Sequence, residues 1–173
     1  MAETGIMQLK ITLQHVKPST WRRVLVPTSI RYDQLHAVIQ MLFGWTNSHL
    51  HSFAPTQLPA GQPYFEYGLV DPELDSSEST LDETEHFPYL DLEKGNLNYT
   101  YDFGEDWSHK IVLEKMVTMQ EFVEADHKQI PVVLAGRGPE RMEDMQDEVG
   151  EAYNTNDLND YLAELSDGWG EVY

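Results

Sequence analysis

Two histidines stand two apart in the stretch Gly44-Trp45-Thr46-Asn47-Ser48-His49-Leu50-His51-Ser52-Phe53, four residues after a tryptophan. On an extended backbone alternate side chains share a face, so His49 and His51 point the same way. Two imidazoles so placed can chelate a divalent metal if a third ligand joins them. A second group of reactive side chains lies in Asp102-Phe103-Gly104-Glu105-Asp106-Trp107-Ser108-His109. His109 can supply the third imidazole, and Asp102, Glu105 or Asp106 a carboxylate, provided this turn packs against 44–53. Carboxylates crowded on one turn also raise one another's pKa, which is how general acids arise. The structural alternative is plainer. Histidines hydrogen-bond to backbone or carboxylate groups, and turn aspartates bond to their own backbone while Gly104 supplies a positive φ. No HExxH spacing, GxSxG elbow, P-loop or calcium-loop pattern accompanies these residues. The Asp-Phe-Gly triplet lacks the glycine-rich loop and catalytic-loop motif of a kinase.

Two further groups have chemistry to offer. Trp21, Trp45, Trp107, Tyr99 and Tyr101 can wall a ligand groove, or form the core and its rim. Lys10, Arg22, Arg23 and Arg31 can meet an anionic partner. Arg22 and Arg23 fall on opposite faces of one strand, however, so they do not make a single patch. Arg23, on the face of Trp21 and Leu25, is expected to pair with a carboxylate from the acidic half of the chain.

The elements that must position these groups follow from periodicity. Leu9, Ile11 and Leu13 alternate with polar residues, and Trp21 to Val26 follows a Lys17-Pro18-Ser19 turn, which reads as a hairpin. Over 31–43 the period changes: Tyr32, Leu35, Val38, Ile39, Leu42 and Phe43 form one helical stripe, with His36 beside it. Thr28 or Ser29 is the expected N-cap and Gly44 the stop. Strands are expected at 49–54, 64–69, 97–103, 108–116 and 130–134. The penultimate of these carries apolar residues on both faces, which suits a central strand. Asp71 to Asp91 holds eight carboxylates and no Lys or Arg, and reads as the start of an exposed acidic excursion over 71–95, with a helical turn near Leu81. Leu158, Tyr161, Leu162 and Leu165 define an acidic C-terminal helix capped by Asn154 or Thr155, and 166–173 reads as a tail.

The order of these elements predicts an α+β fold: a mixed, mostly antiparallel sheet with a β-β-α-β start, roll or β-grasp-like, packed by the 31–43 helix and followed by acidic C-terminal helices. With 173 residues the chain is read as a single domain, its core spanning roughly 7–165. The net charge is −19, but it is uneven: residues 1–60 carry +3 and residues 61–173 carry −22. Such a body repels phosphate backbones, so nucleic acid is not the expected partner. The absence of cysteine excludes disulfides, thiolate metal sites and a thiol nucleophile, and suits a reducing, cytoplasmic setting. Neither a signal peptide nor a membrane helix is read in the sequence.

Three stretches, WRRVLVP (21–27), LHAVIQMLFGWTNSHLHSF (35–53) and YTYDFGEDWSHKIVLEKM (99–116), with LAGRGPE (134–140) as a fainter fourth, resemble the plasmid pRiA4b ORF-3-like family over roughly residues 7 to 165. The resemblance implies a compact α+β fold of bacterial or archaeal type and no particular reaction. Cysteines that many relatives carry near the segment matching Val132 to Met145 are absent here, so no thiol role is carried over. The functional expectation is a binding or protein-interaction module for a protein or small ligand. Its working surface lies where 44–53 meets the 103–109 turn, with Trp45, His49, His51, Asp102, Asp106, Trp107 and His109 as contact residues. No cofactor is required by that reading. The competing class is a metal-dependent hydrolase on His49, His51, His109 and nearby carboxylates. The second alternative is a mobile-element or nucleic-acid-associated protein.

Overall fold

The computed structural model describes residues 5–70, 79–142 and 148–167. Strands β1 (Ile6–Leu13) and β2 (Thr20–Pro27) pair antiparallel from Ile6↔Pro27 to Leu13↔Thr20, the hairpin that the alternating pattern predicts. Helix α1 (Tyr32–Phe43) then crosses the sheet. Its N-cap is Arg31 rather than Thr28 or Ser29: the Gln34 side chain reaches back to accept from the Arg31 backbone N–H at 2.9 Å. Gly44 closes the helix at φ 77°, a left-handed conformation that glycine adopts without steric cost.

The remaining elements are β3 (His51–Pro55), β4 (Glu66–Gly68), β5 (Thr80–Asp82), α2 (Pro88–Leu92), β6 (Leu97–Tyr101), β7 (Trp107–Val117), α3 (Met119–Glu124), β8 (Val132–Arg137) and α4 (Thr155–Asp167). Among the described residues the eight strands join one open sheet in the order β5-β4-β3-β6-β7-β1-β2-β8. Every pair is antiparallel except β4 with β5, so the sheet is mixed and mostly antiparallel as the sequence predicts. β7 lies between β6 and β1, the central place that its two apolar faces imply.

One face of this sheet holds the core. Leu35, Val38, Ile39, Leu42 and Phe43 of α1 meet Met7, Leu9 and Ile11 of β1, Phe53 of β3, Tyr99 and Tyr101 of β6 and Ile111 of β7, all fully buried. Each such side chain contributes about 1.5–3 kcal/mol by leaving water. Leu158 and Leu162 of α4 extend the same core, and Asn154 Oδ1 caps α4 by accepting from Asp157 N at 3.0 Å. A small second cluster on the other face joins Ile6, Leu25, Val117, Val132 and Phe122 of α3.

The acidic stretch departs from its expected form. Of its described part, residues around Leu81 form edge strand β5 instead of a helical turn, and Glu83 is buried. The carboxylates anchor the segment: Glu83 bonds to His51 at 2.6 Å, and the Tyr32 hydroxyl donates to Asp91 at 2.5 Å. The end of the C-terminal tail, 168–173, lies outside the described residues.

The basic residues of the N-terminal region are mostly engaged internally. Arg22 is fully buried, donating from Nε to Leu42 O at 2.9 Å and from one terminal nitrogen to Trp21 O and Arg137 O. Arg23 makes the expected pair with a distant carboxylate, Nε to Glu114 Oε1 at 2.7 Å. Trp21 is on that outer face, under Lys10 and Arg23, and takes no part in an aromatic groove with Trp45 or Trp107.

Candidate functional site

The pairing of β3, β6 and β7 sets the site. His51 is opposite Tyr101, Phe53 opposite Tyr99, Tyr99 opposite His109, and Tyr101 opposite Trp107. Directly paired residues share a sheet face. All six side chains therefore look toward α1, but at different depths below it. His51 sits at the edge of α1, where the 44–50 loop leaves the helix. His109 sits beneath it, with no exposed surface and its ring edge-on to Phe43.

At the edge, a cleft of about 650 Å³ opens. His36, His51 and Glu83 stand at its floor, His49 and Asp102 at one wall, and Leu50, Leu69 and Phe103 around its mouth. The last three side chains are 61%, 64% and 52% exposed, an unusual apolar rim for an acidic protein. His36 and His51 stack in parallel, ring centroids 3.5 Å apart and planes at 8°. His51 Nε2 meets Glu83 Oε2 at 2.6 Å, a short, charge-assisted geometry. His49 Nε2 lies 3.5 Å from Asp102 Oδ2.

The His36 proton can be assigned from its partners. Nε2 is 2.8 Å from Asn47 Oδ1, which only accepts, so Nε2 carries the hydrogen. Nδ1 then accepts from the Tyr99 hydroxyl at 2.6 Å. That hydroxyl accepts in turn from Gln40 Nε2 at 3.0 Å, while Gln40 Oε1 accepts from Asn47 N. The ring is thus held neutral on both nitrogens. Burial, with His51 stacked against it, pushes the His36 imidazolium pKa down to about 4. Burial likewise holds the Tyr99 hydroxyl well above its ordinary value. The network fixes an uncharged imidazole as a platform for His51.

Asp102 serves two ends. Its backbone is left-handed at φ 60°, its N–H donates to Leu50 O, and Oδ1 accepts from Gly104 N and Glu105 N. The positive φ values of this turn belong to Asp102 and Asp106 and not to Gly104. Asp106 is exposed at the far side of the turn. Trp45 and Trp107 pack against each other at 5.0 Å, each only 5% exposed, and belong to the core behind the cleft. His109 donates from Nδ1 to Tyr99 O at 3.2 Å, and burial drives its pKa down to about 4. Of the seven expected contact residues, His49, His51 and Asp102 meet at the cleft, whereas Trp45, Trp107, His109 and Asp106 stand outside it. Among the described residues no three His, Asp or Glu side chains converge as a metal-binding group. His36, Asn47 and Glu83 complete the floor and were not expected there. The i, i+4 pair His36 and Gln40, polar on the flank of an apolar stripe, is the sequence signal that marks such a buried network.

A family model described as "Plasmid pRiA4b ORF-3-like protein" matches residues 5–167. The uncharacterized protein y4hQ of Sinorhizobium fredii (strain NBRC 101917 / NGR234) is 39% identical over 111 residues, 64% of this chain; that alignment spans 54% of y4hQ, so the chain matches about half of that relative's length. The crystal structure of MM3350, a protein of unknown function from Methanosarcina mazei Go1, aligns with a TM-score of 0.69 at 27% identity, covering 84% of this chain and 76% of that one. Among the described residues no helix is long and apolar enough to cross a membrane.

Proposed function

The chain belongs to the plasmid pRiA4b ORF-3-like family, and from that premise we propose that it is a protein-interaction module whose cleft takes a basic, partly apolar segment of a partner. The observation that carries this reading is the pairing of an apolar rim (Leu50, Leu69, Phe103) with acceptors and imidazoles on the floor (His51, Glu83) and one wall (His49, Asp102). Exposed large apolar side chains gathered around one concavity mark contact surfaces. The two carboxylates, Glu83 on the floor and Asp102 on the wall, favour Lys or Arg over Asp or Glu. The net charge of −19 steers cations toward the whole body. The buried network behind the floor holds His36 and Asn47 rigid, which lowers the ordering cost of binding.

Selection from random peptides of about 12 residues, long enough to fill a groove, tests the reading. Peptides retained by the wild-type protein are counter-selected on a Glu83→Gln, Phe103→Ser variant. Enrichment of sequences joining Lys or Arg to Leu, Ile or Phe is expected, with retention lost on the variant. Peptides of no shared character, or equal retention by the variant, overturn it.

A further inference from the structure

A second cavity lies between α1, β2, Glu140 and residues 151–161. Its volume is about 350 Å³, room for a small organic molecule. Its floor is buried and rich in donors. Arg22 is fully buried, yet one terminal guanidinium nitrogen has no hydrogen-bond partner. Trp45, 5% exposed, likewise carries a buried indole N–H without a partner. Both residues line this cavity, while the two nitrogens themselves are closed to solvent, so an acceptor reaches them when the lining side chains part. Buried donors left unpaired cost about 1–3 kcal/mol each, so two at one cavity call for an acceptor. The guanidinium is held in place for that role, packed between the rings of Phe43 and Tyr153 at 5.1 and 4.8 Å and tied by three backbone carbonyls.

The mouth has the opposite character. Glu151 and Asp157 are exposed there, and Glu140 is half-buried. The Glu140 carboxyl lies over Gly44, where a methyl group would come within 2.8 Å of Oε2. Burial raises the Glu140 carboxyl above its ordinary range, Arg22 opposes this, and Glu151 adds to it. A cation at the mouth would relieve that burden. Between floor and mouth, Met41, Tyr153, Leu158 and Tyr161 give an apolar wall.

Cationic and N–H donors at the base, carboxylates at the mouth and an apolar wall between them match one class of molecule. We propose that this cavity binds a free α-amino acid, its carboxylate on Arg22 and the Trp45 indole N–H, its ammonium toward Glu140 and Glu151. A simple anion would meet three carboxylates at the mouth, and a simple cation would meet a buried guanidinium at the base. Only a zwitterion satisfies both ends. The site is independent of the cleft at His51 and stands or falls without it.

The test is a titration of the intact protein, followed by amide NMR shifts, with each common amino acid up to about 10 mM, a range that captures weak sites. Saturable shifts centred on residues 40–45 and 151–158 are expected for at least one of them. Its N-acetyl and its C-amide forms should bind at least about tenfold more weakly, since each loses a charge-assisted pair. Trp45→Phe, which keeps an aromatic side chain but removes the indole N–H with its five-membered ring, should weaken binding by at least about tenfold. Glu140→Ala should do the same through the ammonium, while Glu83→Gln leaves binding unchanged. No saturable shift with any amino acid, or capped forms that bind as well as the free one, or full affinity in both Trp45→Phe and Glu140→Ala, would overturn the proposal.

Discussion

Replacing His109 by leucine should remove a defined share of the protein's acid sensitivity. His109 is fully buried among Phe43, Tyr99 and the sheet, and its pKa falls to about 4 in the folded protein. An exposed histidine in the unfolded chain titrates near 6.5. As pH falls below about 6.5, protons therefore bind the unfolded chain first. The stability contributed by the neutral, buried ring is complete above that pH and is lost progressively toward about pH 4. Integrating the linkage relation between about pH 7 and about pH 5 gives a loss of roughly 2 kcal/mol from this one residue. His36, also lowered to about 4, contributes a similar amount. For a chain of this size roughly 2 kcal/mol corresponds to about 4–8 °C in melting temperature. Leucine matches the ring's volume and cannot titrate. Its absolute stability at neutral pH shifts through the lost bond to Tyr99 O, so the quantity to compare is the change with pH. Urea unfolding followed by tryptophan fluorescence at the two pH values supplies it. All carboxylates are common to both proteins, and their titration cancels in the difference. The variant should lose about 2 kcal/mol less than the wild type over this interval. Equal losses in the two proteins would show that His109 is not held neutral by burial.

Tyr99→Phe removes one hydroxyl and leaves both His36 Nδ1 and Gln40 Nε2 without it, so a loss of about 2–4 kcal/mol is expected by the same unfolding measurement. Gly138→Ala should cost at least about 2 kcal/mol, because φ is 88° and a methyl group would lie 2.6 Å from Ser19 O and 2.7 Å from Thr20 Cα, backbone atoms that cannot swing away; a wild-type melting curve would contradict this. Arg23→Ala breaks only a part-exposed pair with Glu114, and its effect should stay under about 1 kcal/mol and shrink as salt is added.

The parts of the fold legible in the sequence are those where side-chain period alone decides the structure. The β1 alternation, the α1 stripe and the paired 97–101 and 107–117 strands each bury one continuous face, and pattern reading finds such faces. Where a segment is fixed by partners remote in sequence, period says nothing. Strand β5 exists because β4 offers an open edge, and Glu83 is buried because His51 waits for it 32 residues earlier. Helix α3 is too short to show a helical period, and its local sequence signal is the capping box of Thr118 and Glu121. The candidate site divides along the same line. His49 and His51 share a neighbourhood through strand spacing, and Asp102 reaches it because its N–H donates to Leu50 O just beyond the paired ends of β3 and β6. His109 resembles them in chemistry alone: the register of β6 and β7 sets it opposite Tyr99, one residue pair deeper, where α1 seals it.

The central claim is that the cleft over His36, His51 and Glu83 is a contact surface for basic and apolar groups. Amide NMR mapping with the peptide acetyl-Leu-Arg-Leu-Lys-amide, added to about 5 mM, measures this most directly. Saturable shifts confined to residues 47–51, 69, 83 and 102–104, abolished by Glu83→Gln with Phe103→Ser, are the expected result. Shifts centred elsewhere, or none over that range, would contradict the claim.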